Sequence, residues 1–194
     1  MVRKADPGKR DAILEAAREV FEERGFQDAH MSEIAERALV AAGTLYLYFE
    51  SKEDLVTQLA EDFIRRITRV LVKEMANPDP AEAIAGGVSE TIDVACEERS
   101  TLMLLNLRAA IGQREEMLPA DKDLIDAVSK EVTKRMEAGQ FRKYQPEVAA
   151  VLICGMVEWV CKACVLWNYG NLDEFKKTTI QILQNALLVE GASE

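Results

Sequence analysis

Three cysteines, Cys154, Cys161 and Cys164, stand at i, i+7 and i+10 of one unbroken stretch. At about 100° per residue in a helix they fall within about 80° of one another, on one stripe. Thiols so arranged can be oxidised or can take a soft metal, and they can equally pack as small apolar groups. The Cys-x-x-Cys formed by Cys161 and Cys164 has no second pair and no histidine beside it, which argues for packing. The same stretch carries Glu158 and Lys162 at i, i+4, the spacing of an ion pair within the helix or across an interface, or of groups that orient a ligand. Arg108, in "LMLLNLRAAIG", is a cation in an apolar setting. It suits a carboxylate or phosphate, or else it is solvated or paired structurally. Met103, Leu104, Leu107, Met156 and Trp159 are either core or the lining of an apolar pocket beside it. With one histidine in the chain, His30, a Ser–His–Asp arrangement cannot form in the larger part. No catalytic residue, cofactor or metal site is expected, and the chain is not read as an enzyme.

The elements that must position these groups are helices. Of 194 residues, 48% are hydrophobic and 30% charged, with only 5 Pro and 10 Gly. Long Ala-, Leu-, Glu- and Lys-rich runs between them predict an all-α chain of about nine helices. The first runs from about Pro7 or Lys9 to Arg24, with Ile13, Leu14, Ala17, Val20 and Phe21 on one face and Gly25 ending it. Short helices follow at about 31–38 and 42–48. Ser51 and Asp54 form a near-capping box that opens a long helix to about 76. Further helices are expected over 80–99, 102–111, 120–138, 146–169 and 172–189, broken at glycines and prolines. Gly86-Gly87 either bends its helix or opens space beside a ligand.

A division into residues 1–50 and 51–194 follows from this order. Residues 148–167 are long enough to span a bilayer, but Glu158 and Lys162 are costly in lipid, so they read as a buried helix and no membrane is expected. The polar start "MVRKADPGKRD" reads as lacking a signal peptide, and four cysteines with no export signal point to the cytoplasm. The net charge of −10 argues against indiscriminate nucleic-acid binding. Arg3, Lys4, Lys9 and Arg10 face Asp6 alone in residues 1–10, a basic arm, whereas residues 53–194 hold 16 basic and 24 acidic side chains.

"ERALVAAGTLYLYFESKEDL" then reads as a helix–turn–helix running into a third helix. Ala35 allows close approach, Val40 sits in the turn, and Ile34 and Leu45 hold the crossing. The second helix would present Ala41, Ala42, Gly43, Thr44, Tyr46 and Tyr48 outward. Its small residues allow close approach to DNA. Leu39 stands where a tight turn favours glycine; a left-handed leucine there costs about 1 kcal/mol unless the turn takes another shape.

The runs "ILEAAREVFEERGF", "MSEIAERA" and "AGTLYLYFESKEDL", in this order and spacing over residues 9–55, closely resemble the TetR family of bacterial transcriptional repressors. The resemblance implies an N-terminal three-helix DNA-binding domain and a C-terminal helical domain for ligand binding and dimerisation. It puts Gly43, Thr44, Tyr46 and Tyr48 at recognition-helix positions, and Lys52 where a phosphate-contacting lysine is frequent. His30 replaces the usual Ser or Thr at the start of the first helix of the motif, and Ser32 replaces a larger polar residue. The implied partners are double-stranded operator DNA, a small hydrophobic effector such as a fatty acyl compound, and a second copy bound through the last two helices. Two alternatives stay open: a thiol- or metal-responsive regulator using Cys154, Cys161 and Cys164, and a helical interaction module without DNA binding.

Overall fold

The computed structural model describes residues 6–107 and 117–189. Helix ends are set by residues that satisfy terminal backbone groups. Asp6 accepts a hydrogen bond from the Gly8 amide (3.1 Å) at the start of α1, Pro7–Asp28. Asp79 accepts from Ala81 and Glu82 (2.7 and 3.2 Å) to open α5, Pro80–Glu97, and Asn171 accepts from Asp173 and Glu174 (2.9 and 3.1 Å) to open α9, Leu172–Leu187. Before α4, Lys52–Glu74, Ser51 Oγ accepts from the Asp54 amide (3.2 Å) while Asp54 accepts from the Glu50 amide (3.1 Å), a variant of the capping box. Between these lie α2, Met31–Arg37, α3, Ala42–Leu45, α6, Arg99–Leu107, and α7, Pro119–Glu137. Helix α8, Pro146–Cys161, runs on into one π turn, Lys162–Leu166. Gly25 breaks the regular part of α1 with a φ of 74°, which glycine alone adopts at little cost. The described residues are thus all-α, with no strand and a single isolated bridge between Phe141 and Leu188.

Packing divides the chain into two compact units. The described part of the first comprises residues 6–62 and 100–107. Its core joins Ile13, Ala17, Val20 and Phe21 of α1 to Ile34 and Ala35 of α2, Leu45, Phe49, and Leu55, Val56 and Leu59 of α4. Leu104 of α6 completes it. Sequence periodicity places each residue on an inward face but does not say that α6 belongs here.

The described part of the second unit holds residues 63–99 and 117–189. Its helices are joined by part-buried and exposed polar contacts as well as apolar ones. Lys176 of α9 meets Asp93 of α5 at 2.5 Å, and Gln184 donates to the Ala81 carbonyl at 2.9 Å. Arg66 of α4 donates to both Glu97 and Glu98 (2.5 and 2.6 Å), bonds that raise its pKa. A Cβ on Gly86 would stand 2.6 Å from Glu74 Oε2, and one on Gly87 3.2 Å from Leu71 Cδ2. The glycine pair therefore brings α5 close to α4. The segment Pro146–Leu166 is long and apolar enough to cross a membrane by length and composition; in it Glu158 and Lys162 pair at 2.5 Å, and Val157, Val160, Cys161 and Val165 are buried.

Candidate nucleic-acid interface

The turn between α2 and α3 depends on one residue's backbone. The Val40 amide donates to the Ala35 carbonyl and the Leu39 amide to Glu36, both at 3.0 Å. This 6→1 and 5→2 pair is a Schellman ending, which needs a left-handed residue at its hinge. Leu39 supplies it, with a φ of 54° and a side chain 93% exposed. The same pair of bonds ends α7, where Gln140 donates to Arg135 and Gly139 to Met136, and there the hinge is a glycine with a φ of 72°. Leu39 thus carries backbone strain with little packing to offset it. Leu39→Gly is expected to stabilise the fold by about 0.5–1 kcal/mol, the relief of strain less the extra freedom of an unfolded glycine. Urea unfolding checks this; a loss of stability would mean that the leucine packs.

From this turn the chain makes two helical turns over residues 42–49. Amide bonds from Tyr46 to Ala42, Leu47 to Thr44, Tyr48 to Leu45 and Phe49 to Leu45 (2.9–3.1 Å) carry the helical path beyond α3 itself. Leu45 and Phe49, four apart, are buried and fix this short helix to the core. The opposite face shows Ala42, Gly43, Tyr46 (54% exposed) and Leu47 (84%), with Thr44 half-buried. Tyr48 does not share it. Three residues after Leu45, it packs against the core, and its hydroxyl accepts from the Asp6 amide at 2.9 Å. Leu47 escaped the sequence reading, although its i+4 spacing from Gly43 puts it on the outward face. His30 is the exposed N-cap residue of α2 and makes no side-chain capping bond, while Ser32 is exposed in the first turn.

The electrostatics differ from those of a basic arm leading a neutral reader. Residues 6–62 hold 6 basic and 14 acidic side chains. Arg37 is forked on Glu23 (2.6 and 2.7 Å), Arg24 meets Glu33 at 3.3 Å, and Arg18 meets Glu15 at 2.8 Å. Arg10 binds Gln58 (2.9 Å) and Asp62 (3.3 Å) of α4. Lys52 donates to the carbonyls of Phe26 (2.7 Å) and Gln27 (3.0 Å) and lies 4.7 Å over the Phe26 ring. Two of its three donors are therefore spent closing the end of α1. Lys9 alone among these six has no partner among the described residues. Arg3 and Lys4 lie outside the described residues.

The residues expected at an effector site fall in different surroundings. Leu104 is buried in the first unit's core, Met103 is exposed, and Leu107 closes α6. Arg108 lies outside the described residues. In the second unit Met156 is half-buried on α8; Trp159 is 62% exposed, with its ring 5.6 Å from that of Trp167 and Lys162 Nζ 5.7 Å from its centre. Burial chiefly pushes the thiols of Cys154 and Cys161 up, to about 11 and about 12, and it raises that of Cys164 as well. These thiols stay protonated and weakly nucleophilic at neutral pH. Among the described residues no three His, Cys, Asp or Glu side chains group to hold a metal ion.

The family model for bacterial regulatory proteins of the tetR family matches residues 13–59, which run from the core face of α1 into α4. An HTH-type transcriptional regulator of Bacillus subtilis (strain 168), YdgC, is 26% identical over 188 residues, 94% of each chain. The fatty acid metabolism regulator protein of the same organism is 27% identical over 157 residues, covering 75% of this chain and 78% of its own. Among solved structures, the transcriptional regulator FadR from Bacillus subtilis in complex with stearoyl-CoA superposes with a TM-score of 0.69 at 21% identity, over 89% of this chain and 96% of that one.

Proposed function

The chain belongs to the TetR family of bacterial transcriptional regulators, and from that membership we propose that it is a cytoplasmic repressor which holds a palindromic operator as a homodimer and is released by a small hydrophobic effector. The observation that carries the reading is the exposed, uncharged face of residues 42–47, held out from the core by Leu45 and Phe49. Residues 1–50 would read DNA, with the face of Gly43, Tyr46 and Leu47 in a major groove. Lys9, the arm residues Arg3 and Lys4, and the remaining donor of Lys52 would meet phosphates. Residues 51–194 would bind the effector and a second copy.

Self-association is supported by α8. Val148, Val151, Leu152 and Trp159 are all more than half exposed and repeat at helical spacing, and nothing lies within 4 Å of where a Cβ on Gly155 would stand. Ile182 of α9 is exposed too. An apolar stripe of this extent suits a partner surface, and in a two-fold dimer each residue serves both copies. Leu152→Glu would bring two carboxylates to that interface. It is expected to weaken dimerisation at least about tenfold without unfolding the chain, because the side chain is 64% exposed. Sedimentation shows the result; an unshifted dimer would mean that another face is used.

A fatty acyl effector is favoured by the relative named as a fatty acid metabolism regulator. Helix α4 is continuous from Lys52 to Glu74, so an effector that binds better to a shifted α4 would change how the reading helices are spaced. Titrating operator-bound protein with acyl-CoA of several chain lengths tests this. Release at micromolar acyl-CoA is expected; unchanged affinity at every length would refute the acyl effector.

A further inference from the structure

We propose that the exposed pair Tyr46 and Leu47 reads thymine by its C5-methyl group, with Leu47 as the residue that sets the preference at one position of each half-site. The inference rests on the DNA-binding reading and specifies its chemistry. Between Ala41 and Leu47 the exposed surface holds no amide and no charged side chain; its only side-chain hydrogen-bonding groups are the hydroxyls of Thr44 and Tyr46. Guanine, adenine and cytosine are distinguished in the major groove by donor and acceptor patterns, which call for Arg, Lys, Asn, Gln, Asp or Glu. The two hydroxyls can donate or accept and so suit any base edge, which leaves the apolar thymine methyl as the feature this surface is best fitted to select. Leu47 is 84% exposed and so has nearly its whole side chain to bury on binding.

The charge distribution points the same way. Five of the six basic side chains of residues 6–62 are engaged within the chain, and Lys9 has no partner among the described residues. The phosphate contacts proposed above, from Arg3, Lys4, Lys9 and the remaining donor of Lys52, position the protein on the duplex but carry no sequence information. Contacts to base edges must supply the discrimination, and on this face the extended contact is the side chain of Leu47.

The test uses the full chain and an operator enriched from random duplexes, with each thymine replaced singly by deoxyuridine, which removes only the methyl. Burying one methyl corresponds to about a fourfold change in affinity, or about fifteenfold when both symmetry-related thymines are changed. That loss is expected at one or two thymines per half-site. In Leu47→Ala, which circular dichroism should show to be folded, the same replacement should change affinity by less than about twofold, the signature of direct coupling. Half-sites without thymine, deoxyuridine replacements without effect, or an undiminished methyl effect in Leu47→Ala would each overturn the inference while leaving DNA binding intact. Failure to enrich any sequence would remove the DNA-binding reading, and the inference with it.

Discussion

Gly43→Glu should yield a protein that folds slightly better and no longer holds its operator. Gly43 is the second residue of α3, its backbone is not left-handed, and nothing lies within 4 Å of an added Cβ. Glutamate is the better helix former, and a carboxylate in the first turn suits the helix dipole, so unfolding stability should rise by about 0.5–1 kcal/mol. The same carboxylate stands on the face proposed to meet DNA. There it would be desolvated against bases and repelled by phosphates in both half-sites, and a loss of at least about a hundredfold in operator affinity is expected. The opposite signs make the variant informative. Reduced stability with reduced binding would mean only a damaged fold, whereas preserved binding would move the DNA contact elsewhere on the molecule. Urea unfolding together with fluorescence anisotropy gives both readings.

Arg135→Met is expected to lower unfolding stability by about 3 kcal/mol. The guanidinium is 4% exposed and has four bonds. Its Nη2 donates to the carbonyls of Met75 (2.7 Å) and Asn77 (2.8 Å), Nη1 to Gln140 (3.1 Å), and Nε to Glu131 (3.1 Å). The two carbonyls lie just past the end of α4, where the helix has no further amide to offer them. Methionine would keep much of the volume but leave the two carbonyls without this donor and the Glu131 carboxylate with Lys134 (3.4 Å) in place of the guanidinium. Lysine would keep the charge without the planar fork and should recover only part of the loss. A decrease of less than about 1 kcal/mol for Arg135→Met would show that water replaces the guanidinium and that the end of α4 is not held by it.

The helix boundaries could be read in the chain because their signals are local. Asp79, Asn171 and the Ser51–Asp54 pair cap neighbouring amides, and Gly25 and Gly139 sit at positive φ where helices break. The strain at Leu39 was also legible, since a helix–turn–helix hinge requires one backbone conformation whatever residue occupies it. Pairings across long chain separations were not. Arg10 meets Asp62 and Lys52 meets Phe26, and no periodicity encodes which of many acidic or carbonyl groups a cation will find. The same limit hid the place of Leu104 in the core beside α1 and α4. Tyr48 and Leu47 fell between these cases. Helical spacing from Leu45 and Gly43 separates their faces, but an aromatic residue attracts a binding role more readily than an exposed leucine does.

The most direct measurement is enrichment of random duplex DNA on the purified protein, followed by the stoichiometry of the enriched duplex. A single pseudo-palindromic sequence with thymine in each half-site, bound by two chains and released by Gly43→Glu, is the expected result. Recovery of no preferred sequence, or equal affinity for the enriched duplex and a scrambled one, would contradict DNA reading through residues 42–47.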